Sequence, residues 1–313
     1  MSRESRLFDE NCLCLHLQHL SYTVFMLSVA IPSFNRGRVL LQTLQKLTSN
    51  SELQVLIVND GSTTDDYYPV DLFIANKPNF KIHHYSENFG PATALLRLFE
   101  NCQTEYLMTL SDEDIVEDSN LGLLLDFLYE NEFDYLVARD SGCKKSISKL
   151  KPKDVKPQSA YFSSNVFKVQ ETFEALNFIR DLANFEEFAH LYPHTLLAVS
   201  LFAQGRNCMK LSAKCHVSRI IEETEIRTLS GGLAHLPTER VRQHLSFLRC
   251  LNAISDVWRT NPKGLSTIKN SAQQKFFGTI LDSVSTIDAR ARNDLIRGFP
   301  KTYLASRFRN FIK

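Results

Sequence analysis

Between positions 27 and 140 the apolar residues fall into two alternating rhythms. One is a short unbroken run closed by polar punctuation. It recurs at Leu27–Ile31, Leu53–Val58, Tyr106–Leu110 and Tyr135–Ala138, and each run is read as a strand, as is the more polar Lys81–Tyr85. The other is a stripe with helical spacing. Leu40, Leu41, Leu44 and Leu47 form one such stripe, and Leu95, Leu98, Phe99 and Cys102 form a second after Pro91. A further helix is predicted over Leu121–Tyr129. Strands alternating with helices imply an α/β architecture, a mainly parallel sheet covered by helices on both faces. Ligands of such sheets gather at the carboxyl ends of the strands.

The pattern changes after residue 140. Six lysines between Lys144 and Lys156, interspersed with serine and proline, predict an exposed loop or linker. Thr172 to Leu211 reads as helical, and beyond Arg240 the chain is helical, more basic and without recognisable strands. The expected organisation is an N-terminal extension over 1–26, an α/β domain over 27–230 that divides near 140, and a helical C-terminal region over 231–313. Met26 stands directly before the first strand and could be the native start, which would leave residues 1–25 as an extension that need not fold.

Bulk composition narrows the function. Of the 313 residues 43% are apolar and 23% charged, the balance of a soluble globular protein. A net charge of +1 argues against generic nucleic-acid binding. Seven scattered cysteines without a C-x-x-C pair read as reduced core thiols of a cytoplasmic protein, and no apolar run is long enough to cross a bilayer. G-x-G-x-x-G and G-K-[ST] phosphate loops are both missing, which disfavours a dinucleotide dehydrogenase and a P-loop NTPase.

Three strand ends carry polar clusters. Ser111-Asp112-Glu113-Asp114 crowds three carboxylates, which repel one another unless a cation neutralises them; Mg²⁺ or Mn²⁺ would do so while bridging phosphates. An acidic helix start explains the same residues without a ligand. Asn59-Asp60-Gly61-Ser62 offers a strand-end carboxylate to a base or ribose, or is simply a turn. Pro32-Ser33-Phe34-Asn35-Arg36 adds an aromatic wall and a cation for phosphate, or is a strand end and helix cap.

In order and interval these segments, with Asn88-Phe89-Gly90 before the second helix, resemble family 2 of the glycosyltransferases over about residues 27–140. The resemblance implies a GT-A fold, Rossmann-like, with a nucleotide-sugar half over 27–140, an acceptor half over 141–230, and the helical region following. It implies that Pro32, Phe34, Arg36, Asp60, Asn88, Gly90 and Asp112 hold the nucleotide sugar, expected to be UDP-linked. Glu113 and Asp114 would face the metal and diphosphate. Asn59 and Ser111 replace frequent aspartates, Glu113 replaces the more usual aspartate, and Leu96 stands where the family often has asparagine.

The implied reaction is a single, inverting displacement onto a hydroxyl of a glycan or lipid-linked acceptor in surface polysaccharide synthesis. The metal would stabilise the leaving diphosphate and a general base would take the acceptor proton. Phe185–His194 crowds the candidates. Glu187 and His194 are preferred over His190, and Pro193 is expected to break the helix before His194. Glu222, Glu223 and Glu225 form a further acidic group. The basic, aromatic stretch from Arg290 to Lys313 could rest on anionic lipid at the inner face of the membrane, or be a terminal helix with a charged outer face. A catalytically inactive nucleotide-sugar-binding assembly partner is the alternative function, and a nucleotidylyltransferase ranks last.

Overall fold

The computed structural model describes residues 25–47, 52–63, 67–116, 118–138, 146–159, 161–213, 216–217 and 237–283. The extension before residue 25, Glu222–Glu225 and the basic stretch from Arg290 lie outside the described residues.

Strand β1 (Leu27–Ser33) and strand β2 (Leu53–Asn59) are almost wholly buried, as aliphatic runs covered on both faces must be. Helix α1 (Gly37–Leu47) joins them and turns Leu40, Leu44 and Leu47 inward. Helix α2 (Tyr68–Ile74), which the pattern did not signal, leads to β3 (Phe80–His84). Helix α3 (Pro91–Asn101) begins with Pro91 in its first turn and Gly90 as its cap. It leads to β4 (Tyr106–Thr109), the two-residue β5 (Ile115–Val116), α4 (Asp118–Glu130) and β6 (Tyr135–Ala138).

The lysine-rich stretch is not all loop. It holds β7 (Ile147–Lys149), an exposed three-residue strand, and α5 (Pro152–Ser159). Strand β8 (Asn165–Lys168), α6 (Phe173–Ala183), α7 (Glu187–Leu191), α8 (Pro193–Ala203), β9 (Cys208–Leu211) and β10 (His216–Val217) follow. Strand β9 corrects the expectation that Thr172 to Leu211 is helical throughout, while β8 lies just before that stretch. The described C-terminal residues form α9 (Pro237–Val257) and α10 (Pro262–Ser283).

The eight-stranded sheet runs β3-β2-β1-β4-β8-β6-β9-β7. Strands β3, β2, β1 and β4 are parallel neighbours, and β8 is wedged antiparallel between β4 and β6. From β1 the chain winds outward to β2 and β3, then returns to place β4 on the other side of β1. Strand order therefore reverses between β1 and β4, and a crevice opens beyond their carboxyl ends. Pro32 lies past the last β1–β4 pair, Ala30 with Thr109, where a residue lacking an N–H is tolerated.

Two apolar clusters cover the sheet. One holds α1, α2 and α4; the other holds α3 and α5–α8. Phe247 and Ile254 of α9, Trp258 directly after it, and Leu265 and Ile268 of α10 belong to the second cluster, so the C-terminal helices share its core. Cys208 and Cys250 are buried free thiols in that cluster and Cys102 is a partly buried one. Burial pushes the Cys250 thiol up to about 12. Among the described residues no helix is long and apolar enough to cross a membrane.

Candidate functional site

The crevice gathers the three polar strand ends, and each is tied to another. Asn35, with φ 54°, donates its N–H to the Ser62 hydroxyl at 2.8 Å, while its side-chain Oδ1 accepts from Thr63 N–H at 2.9 Å. Asn59 accepts the Ser62 N–H on Oδ1 and bonds His84 Nδ1 through Nδ2 at 2.9 Å, a contact in which its amide supplies the donor. Gly61 has φ 72°, and a Cβ there would fall 2.2 Å from the Glu87 carbonyl carbon. Only glycine lets this turn lie on the backbone of the Asn88 segment.

Asp60 is buried at the centre of that junction. It accepts the Gly90 N–H at 2.9 Å and meets the Arg97 guanidinium at 2.6 Å. Burial raises its carboxyl above the usual range, opposed by the N–H groups of Gly90 and Phe89 and then by Arg97. Arg97 lies over the Tyr85 ring at 3.6 Å and the Phe89 ring at 4.9 Å. Arg97 was not among the residues expected from sequence. Its signal was its place on α3, seven residues after Gly90 and so on the same helical face. Asn88 caps the turn by accepting the Gly90 N–H on Oδ1. Phe34 and Phe89 are both exposed at this end of the crevice.

At the other end Asp112 is 4% exposed. The Ser33 hydroxyl donates to its Oδ2 at 2.8 Å, and Tyr67 donates in turn to Ser33 at 2.6 Å. Arg36 meets Oδ1 at 3.0 Å with one nitrogen and Glu113 with the other. The Thr43 hydroxyl fixes the Asp112 carbonyl at 2.7 Å. Burial pushes the Asp112 carboxyl up to about 6; Arg36 and the Ser33 hydrogen bond oppose the shift, and Glu113 and Asp114 add to it. Asp114 is buried and accepts the Ser163 hydroxyl, whose oxygen also takes the Ser111 N–H at 2.9 Å. Thr43, Tyr67 and Ser163 carry no signal in the sequence, because each reaches the site through tertiary packing alone.

Among the described residues no three His, Cys, Asp or Glu side chains are grouped as a self-sufficient metal cage. Mg²⁺ or Mn²⁺ does not need one, since such ions keep waters and take substrate phosphates with one or two carboxylates. Glu113 and Asp114 supply hard oxygen donors, and the Arg36 guanidinium already acts as a cation between Asp112 and Glu113. The donor set fits the ion.

The second half reaches the crevice at two points. A Cβ on Gly90 would lie 2.7 Å from Cε1 of His190, so α7 packs directly against the start of α3. His194 stacks edge-on to Phe162 at 5.2 Å, next to the Ser163 that holds Asp114. Pro193 separates α7 from α8 and leaves His194 in the first turn of α8, as its ring geometry requires. His194 is buried, whereas Glu187 and His190 are half-buried. Burial lowers the His190 imidazole below its usual value, which keeps it neutral at neutral pH.

Comparison with known proteins agrees with this geometry. Residues 28–181 match the model for glycosyl transferase family 2. A 121-residue stretch is 29% identical to CsbB of Bacillus subtilis, covering 36% of each protein. A 114-residue stretch is 22% identical to glycosyltransferase GlyG of Streptococcus pneumoniae, covering 36% of this chain and 38% of GlyG. These matches span little more than a third of either relative. Among solved structures, S. aureus TarS 1–349 in complex with UDP-GlcNAc superposes with TM-score 0.66 at 15% identity, over 87% of this chain and 79% of that one. Mannosyltransferase PcManGT of Pyrobaculum calidifontis, in complex with GDP-Man and Mn²⁺, gives 0.52 at 13% identity over 91% and 82%. At such identities the likeness concerns the fold. Residues 28–181 are thus family 2 glycosyltransferase sequence, carried on a GT-A architecture.

Proposed function

We propose that this protein is an inverting, metal-dependent glycosyltransferase that moves a hexosyl or N-acetylhexosaminyl group from a UDP-sugar to a hydroxyl of a glycan or lipid-linked acceptor. The observation that carries the reading is the joining of three strand-end clusters in one crevice at the point where strand order reverses. Asp60, Phe34 and Pro32 would hold the base, beside Arg97. Asn88 and Gly90 would shape that end, and Asp112 would meet the ribose. Glu113 and Asp114 would hold Mg²⁺ or Mn²⁺, which supplies charge for the departing diphosphate. Solved relatives of the same fold bind UDP-GlcNAc and, with Mn²⁺, GDP-Man, which supports a nucleotide-sugar donor.

The acceptor proton would pass to a base on the α7–α8 segment. Glu187 is half-buried at the start of α7 and His194 is buried beside Phe162, so Glu187 is the more accessible. Surface polysaccharide synthesis is the process this reaction would serve. A cytoplasmic location, with membrane contact through the basic C-terminus, would suit a lipid-linked acceptor.

Calorimetric titration of UDP with Mn²⁺ and with EDTA, on the wild type and Asp112→Ala, tests the donor site. Metal-dependent binding lost in the variant is expected. Binding indifferent to both would remove the assignment. Metal-dependent binding with no transfer to any acceptor would instead favour the inactive assembly-partner alternative. Glu187→Gln and His194→Gln then identify the base, as the one variant that keeps UDP binding but loses transfer.

A further inference from the structure

We infer that Arg36 is a resident counter-cation of the donor site, so that the divalent ion is admitted together with the nucleotide and not ahead of it. The inference rests on the donor-site reading above. One guanidinium nitrogen lies 3.0 Å from Asp112 Oδ1 and another contacts Glu113, so a single side chain bridges the two carboxylates. Arg36 is only 15% exposed. Its carboxylate partner is held in place from the far side, by Ser33 on Oδ2 and by Thr43 on the backbone carbonyl. Asp114 is drawn to Ser163.

A guanidinium in this position does what a bound cation would do, neutralising carboxylates that otherwise repel one another. A divalent ion arriving alone must displace it and would gain little beyond the charge already present. An ion arriving with a nucleoside diphosphate changes the balance. The diphosphate brings new negative charge and offers the guanidinium a bidentate partner of its own. Glu113 is thereby released to the metal. Arginine suits this exchange because its fork can re-pair with phosphate while keeping its charge.

Mn²⁺ binding followed by electron paramagnetic resonance tests this on the full chain, with and without UDP, in the wild type, Arg36→Gln and Arg36→Lys. Without UDP, Arg36→Gln is expected to bind Mn²⁺ at least ten-fold more tightly than the wild type, with Arg36→Lys between them. With UDP the wild type should bind Mn²⁺ at least as tightly as Arg36→Gln. Melting temperature and far-ultraviolet circular dichroism of each variant establish that it is folded; the lysine variant serves if the glutamine variant is not. Equal Mn²⁺ affinity in wild type and both variants without UDP would overturn the inference and leave the donor site standing. Absence of Mn²⁺ binding in every sample, UDP included, would overturn the metal-site reading and this inference together.

Discussion

The His190 imidazole stands where a side chain on Gly90 would begin: a Cβ built there lies 2.7 Å from the ring's Cε1. Gly90 also has φ 84° and donates its N–H to Asp60. One residue thus couples the second half of the chain to the proposed base-binding carboxylate. Gly90→Ala meets both a strained backbone and the ring, and should destabilise the protein by about 2–4 kcal/mol. Adding His190→Ala should return part of that loss but not the backbone strain. Urea unfolding of the two single variants and the double variant gives the coupling; strict additivity would mean that the contact is not felt.

Arg97 and Asp60 form an ion pair at 2.6 Å with side chains 12% and 5% exposed. Removing one partner of a buried pair strands the other, which typically costs about 3–5 kcal/mol. Arg97→Ala should therefore lower unfolding free energy by roughly 3 kcal/mol, and Arg97→Ala with Asp60→Asn by less. If the double variant proves the weaker, the stranded charge is not the cause.

Glu186 fastens α9 to α7. It accepts the Ser246 hydroxyl at 2.7 Å and receives two nitrogens of Arg249, while Ser246 accepts the Phe188 N–H. Arg249 is more than half exposed, so water screens much of the ion pair, and the buried serine bonds carry most of the effect. Glu186→Gln should cost about 1–2 kcal/mol and loosen α7 and α9 first. Amide hydrogen exchange would show this as faster exchange confined to those helices; uniform acceleration would contradict it.

His244 is buried in α9, and burial, with Lys156 beside it, lowers its ring to about 3. The unfolded ring titrates near 6.5. A neutral buried base contributes fully above that value. As pH falls from 6.5 towards 3 the unfolded chain takes up a proton that the folded chain refuses, at up to about 1.4 kcal/mol per pH unit. The melting temperature should then fall more steeply between pH 7 and pH 5 in the wild type than in His244→Gln. Parallel curves would clear His244 of any part in acid sensitivity.

The parallel strands were readable because an aliphatic run ended by Pro32, by Asn59–Gly61 or by Ser111–Asp114 signals itself locally. Strand β8 was not readable. Asn165-Val-Phe-Lys168 is four residues long, and only the gap between β4 and β6 makes it a strand. Strand β7 was masked by the lysines around it, and its exposure suits the edge position it occupies against β9. The same contrast holds in the site. Asp60, Asp112, Glu113 and Asp114 could be picked out as strand-end carboxylates, but Thr43, Tyr67 and Ser163 are ordinary residues until the fold delivers them.

By itself the sequence determined the chemical groups and their stations: an alternating α/β chain with an aromatic, a cation and carboxylates at the ends of three strands. Only the tertiary structure decided which group each carboxylate meets. Asp112 pairs with Arg36 across 76 positions of chain, Asp60 with Arg97 across 37, and Asp114 with Ser163 across 49. Those partners follow from β1 lying between β2 and β4 and from β8 entering beside β4. Strand order is a property of the whole packed sheet, and periodicity, which reports only local burial, carries no record of it.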